Sequence, residues 1–262
     1  MRIRMVAAGA AGLVSLTLFG ALALAGCGGQ ATARDGKDVL FQYSTLNALM
    51  AGVYEGQMTL AELEEHGQQG LGTINTLDGE MVLLDGTAYR VGFDGTVGKL
   101  AGDVLTPFAE VTDFSADITL PEDQPLSFDQ LKAAIDAART SANLPYAFRV
   151  DGTFASIKTR SVPAQTRPYR PLTEVLKGQS EFQFTNVQGT IVGFWLPAYM
   201  SGPNAAGYHM HFLTADRKGG GHVLDLQTAN VTIKMDETSE WVSELPTSGD
   251  FRSTALSQEQ YK

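Results

Sequence analysis

The chain has 262 residues, 44% hydrophobic and 18% charged, with 29 acidic against 19 basic side chains and a net charge of −10. That length holds one large or two small domains, and the composition is that of a globule, not of a disordered or fibrous chain. The acidic excess argues against nucleic acid as a partner, because phosphate contacts need clustered Lys and Arg, but it leaves open a small anionic substrate that responds to the local field of a cleft.

At the N-terminus Arg2 and Arg4 precede an uncharged run from Met5 to Gly26, and Leu24-Ala25-Gly26-Cys27 has the form of a lipobox. This resembles a bacterial lipoprotein signal, with residues 1–26 removed and lipid attached to Cys27. The expected address is then a membrane surface on the exported side, periplasmic or extracellular, with the lipid anchor as the only membrane contact. A transmembrane helix and secretion without lipid are the alternatives. Cys27 is the only cysteine, so the exported body has no internal disulfide even where one would be permitted. Residues 27–38 are small, polar and glycine-containing, which predicts a flexible tether.

Order is expected from Val39, as a strand through Tyr43. Ser44 is the expected N-cap of a helix carrying Leu46, Leu49 and Met50 and ending at Gly52. Thr59 and Glu62 form a capping-box pattern, with Gly67 closing that helix just after His66. From Gly70 the period changes. Asp78-Gly79, Asp85-Gly86 and Asp94-Gly95 are turn dipeptides between short runs at Glu80–Leu84, Ala88–Val91 and Thr96–Leu100, a β-meander pattern. Phe108–Phe114 and Ser115–Leu120 are further strand candidates. A second capping box, Ser127 with Gln130, starts a helix with Leu131, Ala134, Ile135 and Ala138 on one face. Tyr146–Arg160 follows as strands broken at Asp151-Gly152, then a proline-punctuated loop, then a short helix capped by Thr173 and ending at Gly178. Glu181–Asn186, Gly189–Leu196, Tyr208–Thr214, His222–Gln227 and Asn230–Asp236 alternate as consecutive strands. The expected class is α+β: an N-terminal mixed sheet with helices over 39–170, and a C-terminal antiparallel, β-barrel-like part over 171–262.

Three of the four histidines fall in one stretch: His209, His211 and, after a glycine-rich turn, His222. Residues i and i+2 of a strand share a face, and a hairpin return brings the third imidazole beside the first two. That arrangement suits a divalent metal with one coordination position open, zinc being the usual occupant. The pattern identifies a metal, not a reaction. His66, at the end of a helix, has the ordinary reading of a partial charge suited to the dipole.

Glu62, Glu64 and Glu65 belong to the solvated face of their helix. Glu80 opens the apolar run Met81-Val82-Leu83-Leu84. It is either a solvent-facing strand end or a desolvated carboxylate, whose raised pKa would suit acid–base chemistry. Arg160, at the end of an alternating strand, is either a surface residue or a two-pronged clamp for a carboxylate. Arg167 and Arg170, beside prolines and Tyr169, suggest stacking or a subunit contact. No nucleophile elbow, phosphate loop or dinucleotide fingerprint is present.

Four segments, taken in order, resemble the α-acetolactate decarboxylase family: Leu40 to Thr45, Gly70 to Glu80, Arg160 to Pro163 with Gln165 to Tyr169, and Gly207 to Phe212 with Gly221 to Leu224. The resemblance implies zinc held by His209, His211 and His222, Glu80 in proton handling at the metal-centred site, Arg160 orienting the substrate, and Thr73 as a polar neighbour. It also implies a glutamate from the C-terminal tail, for which Glu259 is the nearest candidate, and a homodimer. The implied reaction is zinc-dependent decarboxylation of 2-acetolactate to acetoin and carbon dioxide through a metal-stabilised enediolate. A non-catalytic exported lipoprotein binding metal or a small ligand is the alternative, and a zinc hydrolase of esters or amides is a third reading.

Overall fold

The structure, a computed structural model, describes residues Asp38–Leu256. The expected signal segment 1–26, Cys27 and Glu259 lie outside the described residues. The described residues belong to one compact unit.

The elements in order are β1 (Val39–Tyr43), α1 (Leu46–Met50), β2 (Met58–Thr59), α2 (Leu60–Glu64), β3 (Gln69–Thr73), β4 (Glu80–Leu84), β5 (Thr87–Val91), β6 (Val97–Lys99), β7 (Leu105–Thr106), β8 (Phe108–Thr112) and β9 (Ile118–Glu122). They continue with α3 (Phe128–Ala138), β10 (Tyr146–Ser161), α4 (Leu172–Val175), β11 (Ser180–Leu196), β12 (Gly207–Thr214), β13 (Gly220–Glu237), β14 (Glu240–Glu244) and α5 (Asp250–Ser253). The class is α+β, mostly sheet with few helices. One sheet runs β14-β1-β8-β3-β4-β5-β6, and the other runs β10-β11-β12-β13-β9 with β10 also paired to β13. Sheet membership does not follow chain order. β9 and β10 come before residue 170 and join β11–β13, whereas β14 comes late and pairs in parallel with β1.

The two sheets pack through apolar faces. Val82 and Leu84 meet Val192 and Leu213, and Leu40 and Leu71 meet Phe194 and Leu196. Each such buried side chain contributes about 1.5–3 kcal/mol relative to exposure. α3 covers part of the second sheet with Leu131 and Ile135, and its capping box is formed as the sequence predicts. The glycines of β3 are required by close approach, since a Cβ at Gly72 would lie 2.4 Å from the Phe108 carbonyl oxygen of β8.

Several boundaries differ from expectation. Thr45, not Ser44, caps α1, accepting from the Ala48 N–H, while Ser44 turns through φ 66°. α2 keeps its capping box but ends at Glu64, and His66 stacks on Phe41. Pro171, not Thr173, precedes α4. Asp151-Gly152 does not break β10. Gly152 takes φ 150° within a continuous strand, and the irregularity appears as register shifts against β13. Likewise β11 and β13 each run unbroken through positions where separate strands are predicted.

Candidate metal centre

β12 and β13 form a hairpin in which His211 stands opposite His222. Strand alternation puts His209 on the same face as His211. On the other flank of β13, His222 is the register partner of Arg160 in β10. Three adjacent strands thus present His211, His222 and Arg160 side by side. The return depends on glycine: Gly221 has φ 122°, and a Cβ there would sit 2.4 Å from the Arg160 carbonyl oxygen.

The three imidazole centroids are 5.1, 5.2 and 5.3 Å apart, and one ligand nitrogen from each lies within 4.8 Å of the others. His211 Nδ1 is 2.7 Å from the Met81 carbonyl oxygen. A carbonyl only accepts, so Nδ1 carries the proton and Nε2 is left bare. His209 Nδ1 faces Oε1 of the fully buried Glu110 at 3.0 Å. Burial holds His211 and His222 well below the usual histidine pKa, reinforced at His211 by His209 and Arg160 and at His222 by Arg160, His209 and His211. Both rings are therefore neutral at pH 7, which is the ligating form.

Glu80 is not a solvent-facing strand end. It lies opposite Thr73 across β3 and β4 and is only 6% exposed. Its Oε1 accepts from Arg160 Nη1 at 2.7 Å, and its Oε2 lies 3.4 Å from His211 Nε2. Burial pushes the Glu80 carboxyl pKa up, opposed by Arg160 and His209. Thr73 also faces this space, with its hydroxyl donating to the Gly79 carbonyl oxygen at 2.7 Å. The structure therefore brings together six of the residues singled out in the sequence: Thr73, Glu80, Arg160, His209, His211 and His222. They border a cavity of about 220 Å³, with Leu46, Leu49, Phe108, Val162 and Leu172 forming its apolar wall. Arg167 and Arg170 lie elsewhere. Arg167 sits over the Tyr169 ring and pairs with Glu55 and Asp250, and Arg170 bonds Gln165.

Two residues at the site carried no assignment from sequence. Tyr208 lines the cavity and donates to the Lys132 carbonyl oxygen. Glu110 backs His209. Its signal was available in Phe108-Ala109-Glu110-Val111, a lone carboxylate inside a buried strand, the same signal that marks Glu80.

The neutral rings of His211 and His222, beside His209 with Glu110 behind it and flanked by the buried Glu80 carboxylate, are a donor set that fits a divalent metal with room for a further partner on the cavity side. Fold and site together define a mostly-β protein with a tri-histidine candidate metal centre at the polar end of a cavity of small-molecule size. The alpha-acetolactate decarboxylase family profile matches residues 40–258. An alpha-acetolactate decarboxylase of Methanosarcina mazei is 45% identical over 84% of this chain and 77% of its own length, and one of Brevibacillus brevis is 44% identical over 85% and 78%. A crystal structure of acetolactate decarboxylase from Bacillus subtilis subspecies spizizenii superposes with a TM-score of 0.83 at 38% identity, covering 84% of this chain and 95% of that one. The chain belongs to the alpha-acetolactate decarboxylase family.

Proposed function

We propose that the chain converts 2-acetolactate to acetoin and carbon dioxide, with zinc held by His209, His211 and His222. The observation that carries this reading is the meeting of those imidazoles with the Glu80–Arg160 pair at the polar end of an apolar cavity, in a chain of this family. Bound zinc would supply Lewis acidity toward the negative charge that develops on the ketone oxygen. Arg160 offers a planar, two-pronged donor to the substrate carboxylate before it departs. Departure of carbon dioxide leaves the bonding pair as an enediolate, which must take a proton on carbon. Glu80, whose pKa burial raises, is assigned the delivery of that proton, and the Arg160 hydrogen bond fixes the orientation of its carboxyl. Glu259 is assigned the second proton-handling role and Thr73 a place against the substrate. The wall of Leu49, Phe108 and Val162 receives the methyl groups. Protonation from one fixed side yields one acetoin enantiomer.

The test is chiral analysis of acetoin released from racemic 2-acetolactate by the zinc-loaded full-length chain. One enantiomer in excess, well above spontaneous decarboxylation, is expected. Background-level acetoin from a chain that melts cooperatively would overturn the assignment.

The basic pair Arg2 and Arg4, the uncharged run and the lipobox support export as a lipoprotein anchored through Cys27, with residues 27–38 as the tether. Labelled fatty acid should enter the wild-type chain and not Cys27→Ala. Entry into both would remove the anchor. The closed circuit of strand pairings from β10 through β11, β12 and β13 back to β10 supports a barrel-like second sheet. A homodimer is the assembly proposed, and light scattering decides it: the mass of one chain would refute it.

A further inference from the structure

We infer that a buried chain of hydrogen bonds, Gln42–Asn204–Glu110, sets the orientation and tautomer of His209 as a metal ligand, so that Glu110 is a positioning residue. The inference rests on the metal-centred reading above and deepens it.

Gln42 and Glu110 stand directly opposite each other in the antiparallel pair β1–β8. Asn204 reaches them from the loop before β12. Their exposures are 0%, 0% and 1%, so every polar atom needs a protein partner. The polarity of the chain can be worked out from its fixed end. Gln42 Nε2 lies 2.7 Å from the Ser44 carbonyl oxygen and 2.8 Å from that of Pro203, and both can only accept. Its two N–H groups are therefore used, and Oε1 must be the acceptor facing Asn204 Nδ2 at 2.8 Å. The second N–H of Asn204 goes to Glu110 Oε2 at 2.7 Å, while Asn204 Oδ1 accepts from the Ala205 N–H at 2.6 Å. Glu110 is thus locked as an acceptor on Oε2, with Oε1 aimed at His209 Nδ1, 3.0 Å away. A carboxylate there accepts a hydrogen bond from Nδ1–H, which keeps the proton on Nδ1 and leaves His209 Nε2 bare, matching what Met81 does for His211.

The charge balance points the same way. Among the described residues, the only ion-pair partner shown for Glu110 is His209. A buried carboxylate needs a countercharge, and a cation bound on the far side of the His209 ring supplies one. Carboxylate–histidine–metal chains of this kind orient the ring and raise its basicity.

The test reads tautomer and metal affinity separately. With only four histidines, nitrogen-15 long-range correlation spectra of the metal-free full-length chain resolve each ring. His209 is expected with its proton on Nδ1 in the wild type, and with a shift toward Nε2–H in Glu110→Ala and Asn204→Ala. Zinc affinity, from competition with a chromogenic chelator, is expected to fall roughly 10–100-fold in Glu110→Ala. Metal-free melting curves run alongside show that the variant is folded. If Glu110→Ala does not fold, the wild-type tautomer and Asn204→Ala carry the decision. An Nε2–H ring at His209 in the wild type, or wild-type zinc affinity in a folded variant, overturns the inference. The tautomer is read without zinc or substrate, so its failure is distinct from a failure to bind zinc or to form acetoin.

Discussion

Asp236, far along β13, should make the protein less stable as pH rises through neutrality, and Asp236→Asn should remove that dependence. The side chain is fully buried. Its Oδ2 accepts from the Ser115 N–H at 3.0 Å, whereas Oδ1 has no hydrogen-bond donor among the described residues. Burial, then the carboxylates of Asp117, Asp38 and Asp113, push its pKa from 3.8 up to about 7 against the lowering effect of the Ser115 bond. A carboxyl raised in the folded state favours folding fully below its unfolded pKa, and the benefit is lost as pH climbs through the folded value. At about 1.4 kcal/mol per unit, the whole loss is on the order of 4 kcal/mol, complete just above pH 7. Asn keeps an acceptor for Ser115 and turns an amide donor toward the neighbouring carboxylates. Melting curves from pH 5 to 8.5 should show wild-type Tm falling and the variant's Tm nearly level, with a gap on the order of 10 °C at pH 8. A variant that melts lower than wild type at pH 8, or that keeps the wild-type slope, would refute the reasoning.

Other consequences are equally direct. Glu80→Gln keeps the shape of the side chain but cannot pass a proton, so kcat should fall about 100- to 10,000-fold while zinc content stays at wild type. Equal loss of zinc would reassign Glu80 to metal binding. Arg160→Lys replaces a two-pronged donor by a point charge and should lower kcat/KM about 10- to 100-fold. Unchanged steady-state kinetics would remove Arg160 from substrate binding. Ser127→Ala breaks the capping box of α3 and should cost about 1 kcal/mol in urea unfolding without touching turnover. An unchanged midpoint would show that the cap is energetically idle.

The histidine hairpin was legible in the sequence because its geometry is local. A two-residue spacing fixes the shared face, and a glycine-rich return fixes the third partner. Both capping boxes and the Asp-Gly meander turns were legible for the same reason. Long-range pairing was not. Nothing local says that β14 lies parallel to β1, or that β9 and β10 leave their sequence neighbours for the second sheet. Turn signals misled where tertiary pairing outweighed them. Asn186 takes φ 47° and Gly152 φ 150°, yet the strands run through both. Glu110 was passed over because a carboxylate in a short strand has meaning only once its partner, ninety-nine residues away, is known.

The central claim is that the cluster of His209, His211 and His222 is the reaction centre, and titrating zinc into the metal-free full-length chain while recording acetoin formation tests it most directly. Activity should rise in proportion to bound zinc and level off at one equivalent per chain, and His211→Ala should show neither tight zinc nor turnover. Full activity in the metal-free chain, or undiminished activity in His211→Ala, would contradict the account.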